Sequence, residues 1–308
     1  MNSNQSPFFS VIIPTYNRVT LLQNAVRSVL NQTIRDWQLV IVDDGSTDST
    51  KNYLHSLKDP RITVCIQKKA ERSTARNKGI EVSQGRYVCF LDDDDEYTEQ
   101  YLEKFYNYYK TYGFEDLILR SGYVKNIKNK LVSAIQYNPA QHKNPVRFAA
   151  FYMCGVWTLC IPRHFLNEDN FHPDFPHWQD THLILRLFAK HKMLQLPLNT
   201  YVYNIHPLMG SKKMAENIEE KLIQNIKPIE DLFSNYNNLV SPFLPSNTYK
   251  YLKAKKYLEF AHYDIVYGQS KWFYKYLISS LKYKVSSRFL KTYLVILRDY
   301  LKKLLNNK

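Results

Sequence analysis

Four short apolar runs, "FFSVII", "WQLVIV", "ITVCI" and "RYVCFL", alternate through the first half of the chain with segments of helical period near residues 19–31, 47–57, 71–83 and 98–111. The runs are apolar at nearly every position rather than at every second one, which suits a strand covered on both faces. Such strands, separated by helices, read as repeated βαβ units: an α/β fold with a Rossmann-like, mostly parallel sheet flanked by helices. Ligands of these sheets gather beyond the carboxyl ends of the strands. "PTYN" follows the first run, "DDGSTD" the second and "DDDDEY" the fourth, so three polar clusters are expected along one rim.

The pattern is mixed over residues 113–215, with candidate strands "LILRSGYV" and "LVSAIQY", a helix near 179–190 and a strand near 200–205. Helical periodicity dominates from about 216 and breaks at "SPFLPSN", where Pro242 and Pro245 cannot continue a helix. The expected division is a catalytic domain at 1–240 and a basic, aromatic helical region at 241–308. With 308 residues, 44% of them hydrophobic, the chain can bury a sizeable core. It has no apolar run long enough to span a bilayer and no basic start with a small-residue cleavage site, so a cytoplasmic location is expected. The four cysteines lack C-x-x-C spacing, which argues for neither disulfides nor zinc.

The net charge of +14 is concentrated at the end: residues 240–308 hold 14 Lys or Arg against 3 acids. From Lys282 to Lys308 apolar residues recur at helical spacing beside these cations. Such a helix either lies on the anionic inner face of the cell membrane or packs on the core with a solvated basic face.

"FLDDDDEY", Phe90 to Tyr97, crowds four carboxylates behind a buried strand. Neighbouring carboxylates about 4 Å apart repel by roughly 1 kcal/mol even in water, so a compensating cation is expected. Hard oxygen ligands favour Mg²⁺ or Mn²⁺, seated with the phosphates of a substrate. In "VDDGSTDST", Ser46 or Thr47 can cap a helix with Asp48 in its first turn, which leaves Asp43 and Asp44 either as strand-end turn residues or with one of them accepting a hydrogen bond from a nucleotide base. In "ERSTARNKGI", Arg72, Arg76 and Lys78 either meet a diphosphate or form a solvated face.

These stretches, with "VRSVLNQT" between them, resemble the N-terminal half of family 2 glycosyltransferases over residues 8–111. The resemblance implies the GT-A fold and inverting transfer of a sugar from a nucleotide diphosphate donor, a UDP-sugar by the family's habit. It further implies that Pro14, Thr15 and Tyr16 frame the base, that Asp44 with Asp43 pairs with its ring, and that Arg76 approaches the diphosphate. In the family's D-x-D motif Asp94 falls as the metal ligand, joined by Asp92, with Asp92 or Asp93 near the ribose. "HWQDTHLILRL" resembles the segment carrying the general base, which nominates Asp180. "YVYNIHPLMGS" resembles a later Tyr-x-x-His segment and nominates His206 beside the metal, with Ser211 as a weaker candidate. Trp157 and Gly155 are placed on the acceptor side, and the acceptor is expected to be a glycan or lipid-linked hydroxyl in cell-surface polysaccharide synthesis.

Two other classes compete. A nucleotidyltransferase would carry a Gly-rich phosphate loop, and "PTYNRVT" has no glycine. A nucleic-acid-binding protein would suit the basic charge, but acidic clusters at the sheet rim would repel a phosphate backbone, so no nucleic-acid partner is expected.

Overall fold

The structure, a computed structural model, describes residues 6–133, 143–152, 154–206, 218–267, 272–283 and 290–306. The chain divides into two compact units, Met1–His206 and Pro207–Lys308. The break comes earlier than the expected 240, because the helices on either side of that position belong to the same C-terminal unit.

The N-terminal unit is built on one nine-stranded sheet in the order β3-β2-β1-β4-β8-β6-β9-β5, with β7 paired to β6. Its parallel half is β1 (Phe9–Thr15), β2 (Trp37–Asp43), β3 (Ile62–Ile66) and β4 (Tyr87–Phe90). These are the four apolar runs, and β1, β2 and β4 are buried at every residue. Between them run α1 (Val19–Leu30), α2 (Thr50–Ser56) and α3 (Arg72–Val82). α1 places Leu22, Ala25, Val26 and Val29 at helical spacing on the sheet.

The mixed half holds β5 (Glu96–Tyr97), β6 (Ile118–Ile127), β7 (Lys130–Ser133), β8 (Leu159–Pro162) and β9 (Met193–Ile205). Its helices are α4 (Tyr101–Thr111), α5 (Pro145–Phe151), α6 (Arg163–Glu168) and α7 (Gln179–Lys190). The final strand is longer than its predicted end at 200–205, and β8, unrecognised in sequence, joins β4 to β6 antiparallel to both. The remainder of "LVSAIQY" after Ser133 lies outside the described residues.

The C-terminal unit consists of α8 (Ile218–Asn235), α9 (Asn237–Val240), α10 (Thr248–Tyr267), α11 (Phe273–Leu281) and α12 (Leu290–Asn306). The break at Pro242 and Pro245 separates α9 from α10, as expected. The core gathers Leu222, Ile226, Leu258, Phe273, Tyr276 and Ile296. Among the described residues no helix is long and apolar enough to cross a membrane.

Candidate active site

The three polar clusters meet at the carboxyl ends of β1, β2 and β4. Thr15 Oγ1 donates to Asp93 Oδ2 at 2.8 Å, tying the first strand's end to the acid loop. Asp44 N donates to the Thr15 carbonyl at 2.9 Å, and Asn17 N donates to Ser46 Oγ at 2.9 Å. Asn17, at φ 52°, takes the left-handed conformation that asparagine tolerates, and its Oδ1 accepts from Thr47 N at 2.7 Å. The N-cap of α2 is Ser49, which makes no side-chain cap hydrogen bond, so neither Ser46 nor Thr47 caps the helix; one residue before the cap, Asp48 Oδ1 accepts from Thr50 N at 3.0 Å.

Pro14 lies buried within β1, opposite Val42, so it does not line an open base site. A central strand accommodates this proline because pairing of β1 with β4 ends at Ile12, and the missing N–H therefore costs no ladder bond. Asp43 is fully buried and turns Oδ1 to Ser46 N at 2.9 Å, which makes it a brace of the turn. Asp44 is held by three donors: Gln67 Nε2 at 2.7 Å, Lys69 Nζ at 2.6 Å and Ala70 N at 2.9 Å. Lys69 Nζ also stands 4.2 Å from the ring centre of the exposed Tyr16. Gly45 is required between these parts: at φ 81° a Cβ would meet Lys69 N at 2.9 Å.

The acid loop is compensated by the protein's own arginines. Arg18 Nη1 donates to Asp93 Oδ1 at 3.0 Å and to Asp94 Oδ2 at 2.8 Å. Arg76, 0% exposed, donates from Nη2 to Asp92 Oδ1 at 2.8 Å and from Nη1 to Asp180 Oδ1 at 2.6 Å. The expected compensating cation is thus supplied in part by the protein itself, two arginines standing against four aspartates. Arg76, expected at a diphosphate, is instead committed to two carboxylates, while Arg72, one turn earlier, is exposed. The field of Asp92 above all, then of Asp180, pushes the Arg72 guanidinium further up in pKa.

The four carboxylates divide by environment. Burial works to raise Asp92, but Arg76 and Arg72 outweigh it and hold this acid low. Burial, with repulsion from Asp94, pushes Asp93 up to about 6 against the pull of Arg18. Asp95 is pushed well above its usual range by burial and by Asp92 and Asp94. Asp95 also ties down β9: its Oδ2 accepts from Tyr201 Oη at 2.7 Å and its Oδ1 from Asn204 N at 2.8 Å. Asn204 Nδ2 in turn donates to the Asp94 carbonyl at 3.0 Å. Two residues on, His206 Nε2 lies 3.2 Å from Asp94 Oδ2.

Asp92, Asp94 and Asp95 each bring a carboxylate oxygen within 4.8 Å of the others. These three acids are hard oxygen donors of the kind that suit Mg²⁺ or Mn²⁺, although Asp95 is engaged by Tyr201 and Asn204, and His206 adds a nitrogen beside Asp94. Asp180, in the first turn of α7, keeps 21% of its side chain exposed, and its Oδ2 accepts no hydrogen bond from the described residues. Its position is set from α3: Asn77 Nδ2 donates to the Phe171 carbonyl at 2.8 Å and Ser73 Oγ to that of Phe175 at 3.0 Å.

Trp157 is core rather than acceptor surface, packed 4.5 Å from Tyr201 and 4.9 Å from Tyr123 by ring centres. Gly155 serves that packing, since a Cβ there would fall 2.0 Å from Trp157 Nε1. Ser211 lies outside the described residues. Arg18, Lys69, Asp95, Tyr201 and Asn204 were not singled out in sequence. Arg18 was within reach, two residues after Tyr16 in the same strand-end cluster.

The mixed sheet, whose parallel half carries three polar clusters along one rim, has the GT-A fold. The chain matches Glycosyl transferase family 2 over residues 10–171 and belongs to that family. It is 43% identical over 105 residues to the "Putative teichuronic acid biosynthesis glycosyltransferase TuaG" of Bacillus subtilis, covering 33% of this chain and 42% of that protein. It is 25% identical over 257 residues to the "Cholesterol galactosyltransferase" of Borreliella burgdorferi, covering 76% of this chain and 71% of the other. A "GalNAc(5)-diNAcBac-PP-undecaprenol beta-1,3-glucosyltransferase" of Campylobacter jejuni is 39% identical over 94 residues, 29% of this chain and 30% of its own length. The chain thus spans less than half of two of these three relatives. Among solved structures, S. aureus TarS 1–349 in complex with UDP-GlcNAc superposes with a TM-score of 0.61 at 16% identity, over 96% of this chain and 81% of the other. A Pyrobaculum calidifontis mannosyltransferase in complex with GDP-Man and Mn²⁺ gives a TM-score of 0.55 at 14% identity, over 99% and 88%.

Proposed function

We propose that this protein transfers a sugar, with inversion, from a UDP-sugar to a hydroxyl of a glycan or lipid-linked acceptor in cell-surface polysaccharide synthesis. Its place is the cytoplasm, on the inner face of the cell membrane. One observation carries the reading: a single buried guanidinium joins Asp180 to Asp92, setting a partly exposed carboxylate beside the acid loop. The names of the relatives support the substrate class, with teichuronic acid and an undecaprenol-linked glycan among them.

Asp180 Oδ2 accepts the proton of the acceptor hydroxyl as that oxygen bonds to the anomeric carbon. The bond from that carbon to the phosphate oxygen breaks on the opposite side, and its electron pair leaves with the diphosphate. A single displacement of this kind converts an α-linked donor into a β-glycoside. Arg72, with no ion pair among the described residues, offers its guanidinium to the diphosphate. Asp44 and the Tyr16 ring take the base, with Lys69 and Gln67 orienting the carboxylate. Asp92, Asp94 and His206 would hold Mg²⁺ or Mn²⁺, which when bound supplies Lewis-acid stabilisation of the departing charge. The test is a panel of nucleotide sugars assayed for hydrolysis and transfer with each metal, with the product's anomeric configuration read by NMR. UDP-sugar turnover with inversion is expected; turnover of none, or retention, refutes the reading.

A further inference from the structure

The last two helices of the C-terminal unit pack on its core with one side and leave apolar residues on the other. In α11, Phe273 and Tyr276 enter the core, while Tyr274, Ile278 and Leu281, spaced i, i+4, i+7, remain 56, 56 and 55% exposed. α12 runs beside α11 in the reverse direction: Tyr274 Oη lies 3.2 Å from Tyr300 Oη, and Ser280 Oγ 2.7 Å from Tyr293 Oη. Leu297, 48% exposed, falls between Tyr293 and Tyr300 on the side of α12 that meets α11. Ile296, one residue earlier, is buried, so α12 is a core helix on one face and an exposed apolar helix on another.

Scattered exposed leucines are ordinary, but a contiguous set rimmed by like charge marks an interaction surface. Between residues 272 and 306 the sequence has eight Lys or Arg against Asp299 alone. Lys282 and Lys302 are exposed and carry no ion pair among the described residues, and Arg298 is exposed beside them on α12. A second copy of the chain is a poor occupant, because an isologous contact would set this positive rim against itself. A surface that is anionic and apolar in depth satisfies both features.

We propose that the outer face of the α11–α12 pair docks on an anionic lipid bilayer, with Ile278, Leu281 and Leu297 at the acyl boundary and Lys282, Arg298 and Lys302 at the headgroups. The inference names the surface behind the membrane placement and does not depend on the chemistry at Asp180.

The experiment is flotation of the full chain with vesicles of phosphatidylcholine, or of phosphatidylcholine mixed with phosphatidylglycerol, at low and high salt. Binding is expected only to the anionic vesicles and should weaken with salt. Ile278→Ser with Leu297→Ser should cut partitioning at least about tenfold, as should Lys282→Gln with Lys302→Gln. Both pairs are exposed, so melting curves and donor hydrolysis in solution should match the unsubstituted protein. If the serine pair melts early, the glutamine pair decides. Equal binding to neutral vesicles, no binding, or binding unchanged in both variants overturns the proposal. So does a dimer, seen by light scattering, that the serine pair converts to monomer.

Discussion

Arg76 Nη1 lies 2.6 Å from Asp180 Oδ1, and Nη2 of the same guanidinium lies 2.8 Å from Asp92 Oδ1. One side chain thereby sets the spacing between α7 and the acid loop, and its contact with Asp180 spans 104 residues of sequence. Arg76→Met strands two carboxylates without their cation and should cost about 3 kcal/mol in denaturant unfolding. Asp180→Asn keeps an acceptor for Arg76, so stability should change by less than about 1 kcal/mol. Transfer should nevertheless fall about a hundredfold or more, because the amide accepts no proton. An Asp180→Asn protein with full transfer activity would remove the base assignment.

Arg18 and any metal share Asp94. Chelation should lower the melting temperature only slightly, since Arg18 and Arg76 already offset part of the acid loop's charge. Arg18→Met should melt earlier without metal and gain more from added Mn²⁺ than the unsubstituted chain, by ligand-linked stabilisation. Asp94→Asn should weaken Mn²⁺ binding, read by electron paramagnetic resonance, by more than about tenfold.

Tyr201 holds Asp95, and Asp95 holds the strand that presents His206. Tyr201→Phe removes a donor from a buried acid and should cost about 2 kcal/mol. Mn²⁺ affinity should fall with it although no metal donor has changed. Unchanged affinity would show that His206 is positioned by other means.

Asp44 has both oxygens occupied, Oδ2 by Lys69. Lys69→Met should leave the fold intact, because this lysine is 44% exposed, yet weaken UDP binding in calorimetry. Equal affinity in the variant would separate Lys69 from base recognition.

Arg61 Nη2 donates to Asp59 Oδ2 at 2.6 Å, and this bonding to Arg61 holds the Asp59 carboxyl below its usual range. The folded pKa lies below the unfolded one, so the pair's contribution is present above about pH 4 and is lost as pH falls through the folded value. Solvent screening limits it to about 0.5 kcal/mol. Asp59→Asn should therefore lower the melting temperature slightly at neutral pH and not in strong acid.

The parallel half of the sheet was legible because its strands are apolar on both faces and its turns carry their own polar signatures. β8 was not, since "LCIP" is too short to show a period and owes its place to β4 and β6 on either side. Among the site residues, Thr15, Asp92, Asp94, Asp180 and His206 are brought to one rim by the fold. Pro14 and Trp157 are absorbed by packing, because a residue's letter does not reveal which side of a strand end faces water.

By itself the sequence determined the class of sheet, the edge at which polar groups collect, and the excess of positive charge at the C-terminal end, all of which follow from local pattern. The partnering of those groups was decided by tertiary structure. Whether an arginine meets a substrate or a buried carboxylate depends on contacts between segments far apart in the chain, and periodicity carries no record of such contacts.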